Sequence, residues 1–127
     1  MFSSAKADIV TAADGTATVY ITPGINRGFN GFLVGLKYTP GTIDTGADLT
    51  ITCENSGEPI MTKTNAGTSA VFYKPRAFAN SVTDGAASTT PSEYIPIKDD
   101  RIKVVIAQGG NGGIGSIEAI VMTNPPY

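Results

Sequence analysis

Turn signals recur along this chain every eight to twelve residues or so: Asp14-Gly15, Pro23-Gly24, Pro40-Gly41, Gly46, Ser56-Gly57, Gly67, Asp84-Gly85 and Gly109-Gly110. Between them lie short runs of β-branched and aromatic residues, the types that fit a pleated, half-buried surface. Regular short strands with turn punctuation predict a sandwich or barrel. The strand–helix rhythm of a parallel sheet is missing. The expectation is therefore all-β: an antiparallel β-sandwich, jelly-roll-like, of eight or nine short strands. The 127 residues make one domain, with 1–6 and 124–127 as extended terminal arms.

Alternation assigns the strands. Ala7–Ala12 and Thr16–Thr22 read as a hairpin around Asp14-Gly15, with Ala17, Val19 and Ile21 on one face. A short helix capped by Ser3 or Ser4 competes for the first segment. Phe29–Thr39 is the strongest strand, with Phe32, Val34, Leu36 and Tyr38 on one side and Leu33, Gly35 and Lys37 on the other. Thr39-Pro40-Gly41 is a turn, because proline presets one central angle and glycine accepts the positive one. Ala47–Glu54 places Leu49, Ile51 and Cys53 inward and Asp48, Thr50 and Thr52 outward. Pro59–Asn65 and Ser69–Lys74 are shorter strands. Residues 75–91 form a long loop, a length that points to function or flexibility. Tyr94–Ile97, flanked by prolines, reads as an edge strand. Arg101–Gln108 and Ile114–Thr123 complete the set, joined by a glycine-rich hairpin loop, and Asn124-Pro125-Pro126-Tyr127 reads as an extended tail.

Composition excludes much chemistry. There is no His or Trp, and one Cys. No Ser–His or Cys–His pair exists to activate a nucleophile, and no zinc-ligand set exists. Cys53, alternating with Leu49 and Ile51, reads as a small buried apolar residue. Asp99-Asp100 and Asp44/Asp48 lack the ligand spacing of a calcium loop and read as solvated turn carboxylates. Gly110-Asn111-Gly112-Gly113-Ile114-Gly115 matches a dinucleotide fingerprint in letters only, since a strand and not a helix follows it. No enzyme, cofactor or metal is expected. Nine scattered basic residues face eleven acidic ones, so nucleic acid is not an expected partner. No apolar run is long enough to span a membrane, and Met1–Lys6 lacks the pattern of a secretory signal.

The remaining candidates are contact residues. Tyr73, Arg76 and Phe78 belong to an aromatic and basic segment entering the long loop, and Arg27 and Phe29 sit in or beside a glycine-rich one. Aromatics and arginine are enriched at interface hot spots. Either Phe72 or Tyr73 must face the core, because strand neighbours point opposite ways.

Several ordered pieces carry a resemblance. Gly35-Leu36-Lys37-Tyr38-Thr39-Pro40-Gly41 leads into Ile43-Asp44-Thr45-Gly46-Ala47-Asp48-Leu49-Thr50-Ile51. Glu58-Pro59-Ile60-Met61, Tyr73-Lys74-Pro75-Arg76 and Ile95-Pro96-Ile97-Lys98-Asp99-Asp100-Arg101-Ile102-Lys103-Val104 follow, then the glycine-rich loop. Together, over about residues 16–123, they resemble the head decoration (cement) proteins of tailed bacteriophages. The resemblance implies a dimer or trimer on the outer surface of the virion head, made in the bacterial cytoplasm. It would bridge neighbouring major capsid protein subunits without a cofactor. The competing expectation is a receptor- or carbohydrate-binding module of a phage tail or baseplate, with Tyr20, Tyr73 and Tyr94 as candidate sugar platforms.

Overall fold

The computed structural model describes residues 1–123; the tail expected at 124–127 lies outside them. Nine strands form: β1 (Phe2–Val10), β2 (Ala17–Ile21), β3 (Phe29–Thr39), β4 (Asp48–Cys53), β5 (Pro59–Lys63), β6 (Val71–Tyr73), β7 (Ile95–Asp100), β8 (Ile102–Ala107) and β9 (Ile114–Met122). They make two antiparallel sheets. The first runs β1-β9-β3-β6, with β7 also pairing β3, and the second runs β2-β8-β4-β5. Both β6 and β7 lie against β3, β6 at Leu36–Tyr38 and β7 at Phe29–Leu33, so they act as one interrupted strand. Counted so, the pairing is first with last, second with second-last and onward to the β4–β5 turn. This is one long hairpin rolled upon itself, the order of a jelly roll. The all-β sandwich expectation holds.

The core lies between the sheets. Ile9, Leu33, Leu36, Tyr38, Ile117, Ala119 and Val121 of the first sheet meet Ile21, Leu49, Ile51, Ile102, Val104 and Ile106 of the second. Cys53 joins this core, as its alternation predicts, and burial pushes its thiol up.

Rolling changes several local expectations. The first two strands are not a hairpin, because β1 pairs β9 and β2 pairs β8. The Asp14-Gly15 turn instead carries the chain between sheets, as does the glycine-rich loop between β8 and β9. These two arches are pinned together. The buried Thr11 hydroxyl donates to the Gly110 carbonyl (2.6 Å) and accepts from the Gly113 N–H (2.7 Å), and the Gly109 N–H donates to the Gly15 carbonyl (2.8 Å). Phe2–Lys6, expected as an arm, are the first half of β1; the alternative helix does not form. Their pairing with Met122–Glu118 supplies the partner that the local sequence does not reveal.

The strong third strand swaps faces midway. Its ladder with β9 skips from Leu33↔Val121 to Gly35↔Ile120, leaving Val34 as the extra residue of a β-bulge. Leu36 and Tyr38 therefore point inward as expected. On the other side of the bulge Leu33 takes the core position, whereas Phe32 and Val34 do not.

Candidate functional site

Three connections meet at the end of the sandwich where β1 begins: residues 22–28, 54–58 and the single residue Arg101 between β7 and β8. Their shape starts from a buried carboxylate. Asp100 is 4% exposed and accepts the N–H groups of Asn55 (3.0 Å), Ser56 (3.0 Å) and Arg101 (2.8 Å). Burial pushes its carboxyl up, but these amide bonds outweigh that and hold it below the usual range. Asp100 is therefore not the solvated turn residue of the sequence reading; it templates the 54–58 turn. Its neighbour Asp99 is bulged out of the β3–β7 ladder at φ 44°, and its N–H donates to Asn30 Oδ1 (2.9 Å).

The turn sets Glu54 against Arg101. Their fork includes Arg101 Nη2 to Glu54 Oε1 at 2.8 Å and a second bond from Nε to Oε2. The same guanidinium stacks over Tyr20, 4.0 Å from the ring centre. The hydrogen bond from Arg101 holds the Glu54 carboxyl below its usual range. An open cavity of about 550 Å³ lies above, lined by Thr22, Gly24, Arg27, Asn55, Asp99 and Arg101 among others. A second hollow of about 350 Å³ shares Arg27 and Asp99 and opens toward Ser3 and Thr123. Arg27 is exposed, and among the described residues no acceptor engages its guanidinium. This end thus offers the Arg27 cation and the Asn26 and Asn55 side chains, beside the carboxylates of Glu54, Asp99 and Asp100, to a polar partner.

The other contact candidates separate. Phe29 is 2% exposed and belongs to the core, so its expected surface contact is corrected: a strand residue at this position points between the sheets. Tyr73 likewise turns inward beside Leu36, leaving Phe72 as the outward member of that pair. Arg76 is committed internally. Its Nη1 donates to the carbonyls of Val34 (3.1 Å) and Pro75 (2.9 Å), and its guanidinium lies 4.1 Å from the Tyr94 ring centre. It caps the carbonyl that the bulge withdraws from the ladder and fastens the base of the long insertion. Phe78 stands on that insertion and is half exposed. The insertion is folded back on itself by bridges Ala77↔Glu93 and Asn80↔Ala87.

A surface the sequence reading missed crosses the outer face of the first sheet. Phe2 pairs with Met122, Met122 with Phe32, and Phe32 with Pro96, so four apolar side chains form one row over all four strand positions. Ile120 and Phe72 extend it; the Phe72 ring lies directly over Gly35, where a side chain would collide with it. Phe2 is 66% exposed and Phe72 42%. The adjacent row is charged, with Lys6 opposite Glu118 and Glu118 opposite Lys37. No local sequence signal marks this row, because Phe2, Phe32, Pro96 and Met122 meet only through strand pairing. No protein-family model matches the chain, and no curated protein matches it.

Proposed function

We propose that this protein is a non-enzymatic structural component of a tailed-phage virion. It would bind the outside of the head and bridge neighbouring major capsid subunits. The observation that carries the reading is the Phe2–Met122–Phe32–Pro96 row with Phe72 beside it: a contiguous apolar strip with a charged row next to it. Exposed contiguous apolar surface of this kind marks contact sites. The resemblance of residues 16–123 to head decoration proteins supplies the partner. The mechanism is repeated burial: each copy adds a modest contact, and shell symmetry multiplies it. The exposed Phe78 insertion offers a second contact on the same molecule.

The test is copy counting by mass spectrometry on purified particles, with co-sedimentation on undecorated heads. Copies on the order of the shell's subunit number, lost on Phe2→Ser or Phe72→Ser, are the expected result. Absence from virions overturns the reading.

A second reading has its own support. The cavity beside Arg27, lined by Asn26, Asn55, Asp99 and the Arg101 that stacks on Tyr20, suits a hydroxyl-rich sugar, the chemistry of a receptor-binding tail module. A glycan array with Arg27→Ala as control separates the two.

A further inference from the structure

We propose that β1 is a dimerisation strand: two copies pair through it, antiparallel, about a two-fold axis at Ala7. Among the described residues β1 pairs only with β9, so its other side is an open sheet edge. It is the longest edge among the described residues, nine residues with no proline or glycine. The other edges are blunted. β5 begins with Pro59 and is bulged, β7 carries Pro96, β6 has three residues and β2 five. Proteins normally guard long flat edges, because unpaired N–H and C=O groups recruit another strand.

The backbone parity of the edge follows from two bonds. The Thr11 N–H donates to the Gly113 carbonyl and the Thr123 N–H to the Met1 carbonyl, both at 2.9 Å. In an unbroken antiparallel ladder hydrogen-bonded pairs alternate, so the odd residues of β1 bond to β9. Phe2, Ser4, Lys6, Asp8 and Val10 therefore turn their N–H and C=O groups to the open edge. A second copy of β1 has to match even residues with even residues.

Charge then selects the register. Centring on Ala7 sets Lys6 against Asp8 of the second copy, and Asp8 against its Lys6. Both pairs are hydrogen-bonded positions on the outer face, and opposite charges there are favourable. Shifting the centre to Lys6 opposes two lysines, and shifting it to Asp8 opposes two aspartates. A lone lysine would guard this edge; the Lys6–Ala7–Asp8 order makes it self-complementary. The two-fold axis stands perpendicular to the sheet, so both apolar rows face the same side of one continuous sheet. The pairing needs no capsid; only the value of that doubled face rests on the proposed function.

The test is sedimentation or light scattering on the intact chain and its charge reversals. Wild type is expected at twice the 13.1 kDa chain mass. Lys6→Asp and Asp8→Lys each set like charges in both pairs and are expected to raise the dimer dissociation constant on the order of tenfold or more. Mixing the two variants restores opposite charges at every position, so a heterodimer forms from chains that separately do not associate. That recovery also shows that both variants fold. A monomeric wild type at every attainable concentration overturns the proposal. So does a dimer or trimer indifferent to both reversals, or a mixture that fails to associate. Head binding by a monomeric wild type would sink the pairing and leave the capsid reading standing.

Discussion

Replacing Asp100 by alanine is the sharpest perturbation of the loop-bearing end. The carboxylate takes bonds from three backbone amides, those of Asn55, Ser56 and Arg101, at 2.8–3.2 Å. A hydrogen bond to a charged group contributes about 1.5–3 kcal/mol, which bounds the gross interaction near 4.5–9 kcal/mol. Two terms reduce it. Burying the charge costs several kcal/mol, and the exposed Asn55 and Ser56 turn lets water reach their freed amides. The expected net loss for Asp100→Ala is about 2–4 kcal/mol at neutral pH. The sign with pH follows from the depressed carboxyl: the contribution is complete above the unfolded value of about 3.9 and is lost as pH falls through the lower folded value. Urea unfolding of both proteins should therefore show a gap that is constant from about pH 5 upward and closes in acid. A loss below about 1 kcal/mol at pH 7 would refute the reasoning. So would a gap unchanged in strong acid, since the cost would then not come from the carboxylate.

Other consequences are direct. Gly35→Ala would drive a Cβ into the Phe72 ring; overpacking of this sort should cost about 1–3 kcal/mol and displace Phe72, visible as lost stability and, on the proposed capsid role, as weaker head binding. Arg76→Ala should raise hydrogen exchange and protease cutting across residues 74–94, with little change at β8, because Arg76 joins the insertion to Val34 and Tyr94. Phe78→Ala should weaken co-sedimentation with undecorated heads at unchanged melting temperature; equal binding would remove the insertion from the contact. Cys53, 2% exposed with its thiol pushed up by burial, should resist thiol reagents in the native state and label fully in denaturant.

Most strands were legible because period-two alternation is a local property. β4 shows this best: Leu49, Ile51 and Cys53 are buried as read, and Thr50 is exposed. Two kinds of information were not local. The bulge at Val34 reverses the alternation midway along β3, and nothing in Phe32-Leu33-Val34-Gly35 marks where the extra residue falls. Partner choice is the other. Asp14-Gly15 has hairpin chemistry, yet β1 and β2 pair with strands about a hundred residues away or nearly so, because rolling buries both inner faces and a local hairpin would not. The same limit shaped the site residues. Arg27 was found from composition and stands at the cavity, whereas Phe29, two positions on, is claimed by the core.

The amino-acid sequence alone determined the fold class, most strand positions after β1 and the inward set of the regular strands, since these depend on neighbours two residues apart. Tertiary structure decided which strands meet. It brought Phe2, Met122, Phe32 and Pro96 into one row, turned Asp100 into the template of a distant loop, and left β1 with an open edge. Each is a relation between residues far apart in the chain. Such relations come from closing two sheets around one core, an energy that no single segment carries.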